Sequence, residues 1–137
     1  TNDAERIADY TSNIISLASR LKEAEASISE AGIDDLKKLF ACLKNQANLL
    51  MKSISEHNVD AAYEARAMEK EFTRLSNELE DKHIQRLREG TCRVIVGVIF
   101  IELLGELEKV SSKLATIAKR APKIQLYFES LPTATKN

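Results

Sequence analysis

Residues 7–28 read IADYTSNIISLASRLKEAEASI, and the spacing of their apolar positions decides the fold. Ile7, Tyr10, Ile14, Leu17, Leu21, Ala24 and Ile28 are separated by three, four, three, four, three and four residues. A half-buried strand would alternate every second residue. This spacing instead puts all seven on one side of an α-helix, predicted from about Asp3 to Ala26. A helix with a single apolar stripe must cover it with another element, so the chain is expected to form a helical bundle.

The same rhythm recurs downstream. Leu36, Phe40, Leu43, Ala47, Leu50 and Ile54 predict a second helix from Asp34 to about Glu56. Ala61, Ala65, Met68, Phe72, Leu75 and Leu79 predict a third from near Asp60, after which the rhythm slips to Ile84 and Leu87. Phe100, Leu103, Leu107, Val110, Leu114 and Ile117 predict a fourth that stops before Pro122. Gly32 reads as the end of the first helix, Asp34 or Asp35 as the start of the second, Asn58 as the end of the second, and Gly90 as the break before the fourth. Residues 131–137 have nothing to bury and are expected to fray. Four amphipathic helices on short turns predict an all-α, antiparallel up-down four-helix bundle, one domain over residues 1–130.

Composition agrees. Only 4 Gly and 2 Pro interrupt 137 residues, of which 30% are charged and 44% hydrophobic. The net charge of −1 gives no global field toward nucleic acid or an anionic membrane. The most apolar run, VIVGVIFIELL at Val94–Leu104, is too short to span a bilayer and is broken by Glu102. It carries more apolar surface than one bundle face needs, which predicts a homodimer or burial against helices upstream of Thr1. Cys42 and Cys92 lack metal-ligand spacing and read as half-buried, reduced thiols. His57 reads as a helix-end residue and His83 as a surface residue; neither has a partner pattern for nucleophilic catalysis. No Glu-x-x-His pairs point inward, which removes a bundle-core metalloenzyme from the alternatives.

The acids on the third helix, Glu69, Glu71, Glu78, Glu80 and Asp81, interleave with Lys70, Arg74 and Lys82 and read as a solvated face. Lys109, Lys113, Lys119, Arg120 and Lys123 suit the C-terminal half of the fourth helix, or an acidic partner or lipid headgroups. Glu5 and Asp9 lie one helical turn apart, pointing away from the apolar seam. They read either as a solvated face or as a site for a hard cation that prefers oxygen ligands.

A phrase is written twice. AERIADYTSNI, at residues 4–14, is echoed at residues 108–117 by EKVSSKLATI. The first resembles the signature helix of the PhoU family, roughly L-E-R-I-G-D-H-A-x-N-I, with Glu5, Arg6, Ile7, Asp9, Asn13 and Ile14 coinciding. HIQRLREGTCRVIVGVIFIELLGELEKV, His83–Val110, is similar to the approach to that family's second signature helix, above all in the PhoU-like domain at the cytoplasmic C-terminus of bacterial sodium–phosphate cotransporters. The resemblance implies that the first helix closes one three-helix repeat and the next three form another. With no Met at the start, it implies a fragment of a longer chain. It further implies a non-enzymatic, cytoplasmic regulatory domain of phosphate uptake, held at the inner face of the cell membrane by an upstream transmembrane domain. Its partner would be the membrane domain of a phosphate transporter or a sensor protein, with no nucleic acid and no membrane insertion of this segment. A free-standing PhoU-type regulator and a purely structural dimerisation module are the alternatives. Family members bind metal clusters through E/D-x-x-x-D motifs. The resemblance therefore implies Glu5, Asp9, Glu69 and Glu108 as ligands of a divalent or iron-type metal, bound weakly, because Thr73 and Ser112 stand where the motifs carry a second acid.

Overall fold

The computed structural model describes residues 2–132. It contains four helices, α1 (Asn2–Glu23), α2 (Glu30–Ser55), α3 (Val59–Arg88) and α4 (Val94–Ser130), and no strand among the described residues. Cross-helix contacts give their directions. Along α1, Asp3, Asn13 and Arg20 meet Arg120, Glu106 and Glu102, so α1 and α4 are antiparallel. Asp35 meets Arg86 and Gln46 meets Ala65, which makes α2 and α3 antiparallel. His83 stacks on Phe100, and Ala62 shares a groove with Ala118, which does the same for α3 and α4. The bundle is therefore up-down-up-down. It is not a square: α2, α3 and α4 touch one another pairwise, while the α1 backbone approaches α4 alone.

The core has two parts. Leu17, Leu36, Leu39, Phe72, Leu79, Ile99, Phe100, Leu103, Leu104 and Leu107 form one; Leu50, Ala65, Val110, Leu114 and Ala118 form the other, with Ile7 and Tyr10 of α1 against it. The α1 seam is thus used as its spacing predicts. The stripe on α2 is rotated from the expected one. Phe40 and Ile54 are exposed, and Leu39, Gln46 and Ser53 are buried in their place. No α1 backbone lies alongside α2 to cover the first pair, whereas α3 and α4 press on the second set. Most of the Val94–Leu104 run is spent internally: Val96, Ile99, Phe100, Leu103 and Leu104 are buried, and only Val94 and Val98 among its large apolar residues are well exposed.

Four helix boundaries differ from the sequence reading: the end of α1, the start of α2 at Glu30 instead of Asp34, the role of Asn58 and the end of α4. Helix α1 ends at Glu23, and Glu25, at φ 49°, takes the left-handed position assigned to Gly32. The Ala26 N–H then donates to the Leu21 carbonyl and the Glu25 N–H to the Lys22 carbonyl, closing the helix end without glycine. Gly32 lies inside the first turn of α2, which Ser29 caps by accepting from the Gly32 N–H at 3.1 Å. A Cβ there would sit 2.6 Å from Ile28 Cγ2, so close packing selects this glycine. Asn58 does not end α2; it caps α3, accepting from the Ala61 N–H, while His57, at φ 53°, is the helix-end residue, as read. Helix α4 passes through Pro122 instead of stopping before it. The expected fray at 131–137 falls beyond the described residues after Pro132.

Candidate functional site

Helices α1, α3 and α4 carry the four carboxylates singled out by the sequence. Glu5 and Asp9 are exposed on the outer face of α1, and Glu69 on α3 and Glu108 on α4 are half-buried. Glu69 lines a shallow depression with Tyr63, Arg66, Lys70 and Thr73. Among the described residues, no three acidic, histidine or cysteine side chains gather where a metal ion could be held. A hard cation wants six or more oxygen ligands, so this donor set does not fit a metal cluster built from this chain's residues alone.

The acid of α1 that does reach across to another helix was not singled out. Asp3, with its side chain 12% exposed, accepts from Arg120 at 2.7 Å and faces Lys113 at 3.6 Å. Further along the α1–α4 seam, Asn13 donates to Glu106 at 3.2 Å, Lys109 pairs with Glu106 at 3.0 Å and lies over the Tyr10 ring, and Arg20 pairs with Glu102 at 2.6 Å. These groups border an open groove of about 450 Å³, widened by Gly105. Its charges are satisfied across the seam, so it works as a polar zipper between α1 and the rest.

At the opposite end of α3 lies a cluster the sequence reading missed. His83, read as a surface residue, is 2% exposed and stacks on Phe100, ring centroids 4.4 Å apart. Phe72, Ser76, Leu79 and His83 keep the three-four rhythm that seemed to slip, so His83 occupies the inward place. Room for it comes from Gly97, where a Cβ would sit 3.1 Å from His83 Nε2 and 2.7 Å from Leu87. Burial, then the nearby Arg86 charge, hold the His83 pKa below its ordinary range, opposed by the Gly97 backbone and Asp35. Asp35, expected as a helix start, is itself buried and accepts from Arg86 at 3.3 Å. Among the described residues, His83 Nε2 and Arg86 Nη2 have no hydrogen-bond partner. Burial and the Glu71 charge push the Cys42 thiol up, away from nucleophilic use.

A second buried polar group pins the three-helix unit. Gln46 is fully buried; its Nε2 donates to the carbonyls of Ala65 (3.1 Å) and Ser111 (3.0 Å), and its Oε1 accepts from Ser111 Oγ at 2.7 Å. One side chain of α2 thereby fixes the heights of α3 and α4. The sequence signal was a polar residue at an inward position on each of two helices, Gln46 beside Leu43 and Leu50, and Ser111 beside Val110 and Leu114.

With this geometry in place, comparison with known families gives a match. The PhoU domain model matches residues 36–121, more than half of the chain. The match runs from Leu36 within α2, through α3, to the residue before Pro122 in α4, and leaves α1 and the start of α2 outside. No curated protein and no solved structure matches the chain significantly.

Proposed function

The chain belongs to the PhoU domain family, and from that premise we propose that it is a non-enzymatic regulatory domain of inorganic phosphate uptake, joined to a sodium-dependent phosphate cotransporter. The observation that carries the reading is the family match over residues 36–121; the cotransporter version is supported by the stretch from His83 to Gly90, at the end of α3, which resembles that of the cotransporter's PhoU-like domain. In this reading the domain is a docking body. Helix α1 is joined to the three-helix unit by an apolar stripe flanked by a water-accessible row of ion pairs, and a partner that binds one arrangement of that seam better than another biases the transport domain. The domain works at the cytoplasmic face, and its direct partner is the transporter's membrane domain or a sensor protein. No described helix is long and apolar enough to cross a membrane, so the anchor would lie elsewhere.

The test is uptake of radiolabelled phosphate, with and without sodium, in cells carrying or lacking the encoding gene, beside a phosphate-starvation reporter. Altered sodium-dependent uptake supports the cotransporter version. Altered reporter output with normal sodium-dependent uptake supports a free-standing regulator. No change in either removes the phosphate reading. A dimerisation module is the second reading, favoured by Ile33, Phe40 and Ile54, which lie seven and fourteen residues apart and are all exposed on α2. Light scattering separates it: a stable dimer lost on Phe40→Ser supports it.

A further inference from the structure

The basic residues of α4 divide into two groups. Lys113 and Arg120 are held by Asp3, and Lys109 by Glu106. Lys119 and Lys123 turn to the other side of the helix, where they meet Arg66 of α3 around a groove of about 290 Å³. Among the described residues, none of Arg66, Lys119 and Lys123 is paired with a carboxylate. Three like charges crowded on one concavity repel one another, a cost that an anionic occupant would remove. The groove is not built for a bare anion, because its walls are apolar. Pro122 lies in its wall, and Tyr63 and Leu126 border it while 61% and 66% exposed. Pro122 also has no N–H to offer the Ala118 carbonyl, so a backbone acceptor within the groove lacks its usual helical donor.

We propose that this α3–α4 groove docks a short acidic amphipathic helix of a partner protein, its apolar face over Tyr63, Pro122 and Leu126 and its carboxylates on Arg66, Lys119 and Lys123. Charge complementarity and the apolar wall together select this occupant. A planar membrane surface is disfavoured because Arg66, Lys119 and Lys123 line a concavity between α3 and α4, with Ala62 and Ala118 in its wall, which a flat layer of headgroups does not fill. The regulatory reading bears on the inference only in naming which protein supplies the helix.

The experiment uses the full chain and a fluorescein-labelled peptide with leucines on one helical face flanked by glutamates. Its counterpart carries lysine at every glutamate. Fluorescence anisotropy is expected to show saturable binding of the acidic peptide, weakening as salt rises. Binding should weaken about tenfold or more in the triple variant Arg66→Glu, Lys119→Glu, Lys123→Glu, and the lysine peptide should then bind that variant. Leu126→Ser alone should weaken binding with no change in salt dependence. Equal binding of both peptides, or of the acidic peptide to wild type and triple variant, overturns the proposal. Capture on phosphatidylserine vesicles that depends on Lys119 and Lys123, with no peptide binding, overturns it in favour of a lipid surface. Normal phosphate phenotypes in cells lacking the gene, with peptide binding intact, would unseat the regulatory reading and leave the groove standing.

Discussion

The Gln46–Ser111 pair offers the sharpest test of the fold. Ser111→Ala deletes one small hydroxyl and leaves almost no cavity, but it strips Gln46 Oε1 of the hydroxyl donor 2.7 Å away in a site closed to water. A buried acceptor left alone costs about 1–3 kcal/mol, so a loss of about 2 kcal/mol is expected. For a domain of this size that lowers Tm by roughly 6–8 °C. Adding Gln46→Leu removes the stranded acceptor. The Ala65 and Ser111 carbonyls lie inside helices and keep their helical donors, so nothing buried is then orphaned. The double variant should recover to within about 1 kcal/mol of wild type, and the two changes should be strongly non-additive. Urea melts followed by far-UV circular dichroism measure all four corners of the cycle. A neutral Ser111→Ala, or a double variant as unstable as the sum of the singles, would refute the argument. Recovery would assign the pair to fixing the heights of three helices, with little net contribution to stability.

Four other outcomes are expected. Gly97→Ala forces a methyl to within 2.8 Å of both Leu87 methyl carbons and should destabilise by about 1–3 kcal/mol in the same melts; an unchanged midpoint would mean that α3 and α4 are not so close there. The folded His83 pKa is depressed, so the unfolded chain binds the extra proton first: stability should be full above the ordinary 6.5, fall as pH drops toward the folded value, and His83→Asn should flatten that slope in pH-dependent urea titrations. Glu25→Gly relieves a left-handed, non-glycine helix end and should raise stability by about 0.5–1 kcal/mol, read as a higher melting temperature. Elemental analysis after dialysis without chelator should find substoichiometric iron or zinc, reduced further by Glu5→Gln with Asp9→Asn; stoichiometric metal lost on Glu69→Gln or Glu108→Gln would reverse that expectation.

The helices and their order were legible because a three-four apolar rhythm needs no partner to be read; Ile7 to Leu21 and Phe100 to Leu114 behave as their spacing says. What failed depends on the neighbour. Phe40 and Ile54 fit the rhythm of α2 and yet face solvent, because the rotation of a helix is set by what packs on it. His83 is inside because Gly97, fourteen residues later, makes room, a pairing that no local pattern displays. Glycine and proline misled as punctuation: Gly32 serves close packing, and Pro122 is carried within α4, beside the buried Ala118 that packs the helix on the core. The acids in family-like positions were found by resemblance. The groups that bridge the helices, Asp3, Asp35, Arg86 and Gln46, are set by tertiary pairing, which only the folded chain reveals.

That α1 approaches only α4 gives the molecule two cooperative layers. A terminal helix whose backbone meets only α4, held by a hydrated row of ion pairs and by Leu17 at the edge of the core, can open while the contacts among α2, α3 and α4 persist. Its amides should therefore exchange with solvent through a sub-global opening, at a free energy below that of the α2–α3–α4 unit. Leu17, Leu103 and Leu107 would be wetted in that open form, so the opening should steepen with denaturant while remaining smaller than complete unfolding. Exchange protection would then fall into two classes, with the boundary at the turn between Glu23 and Glu30.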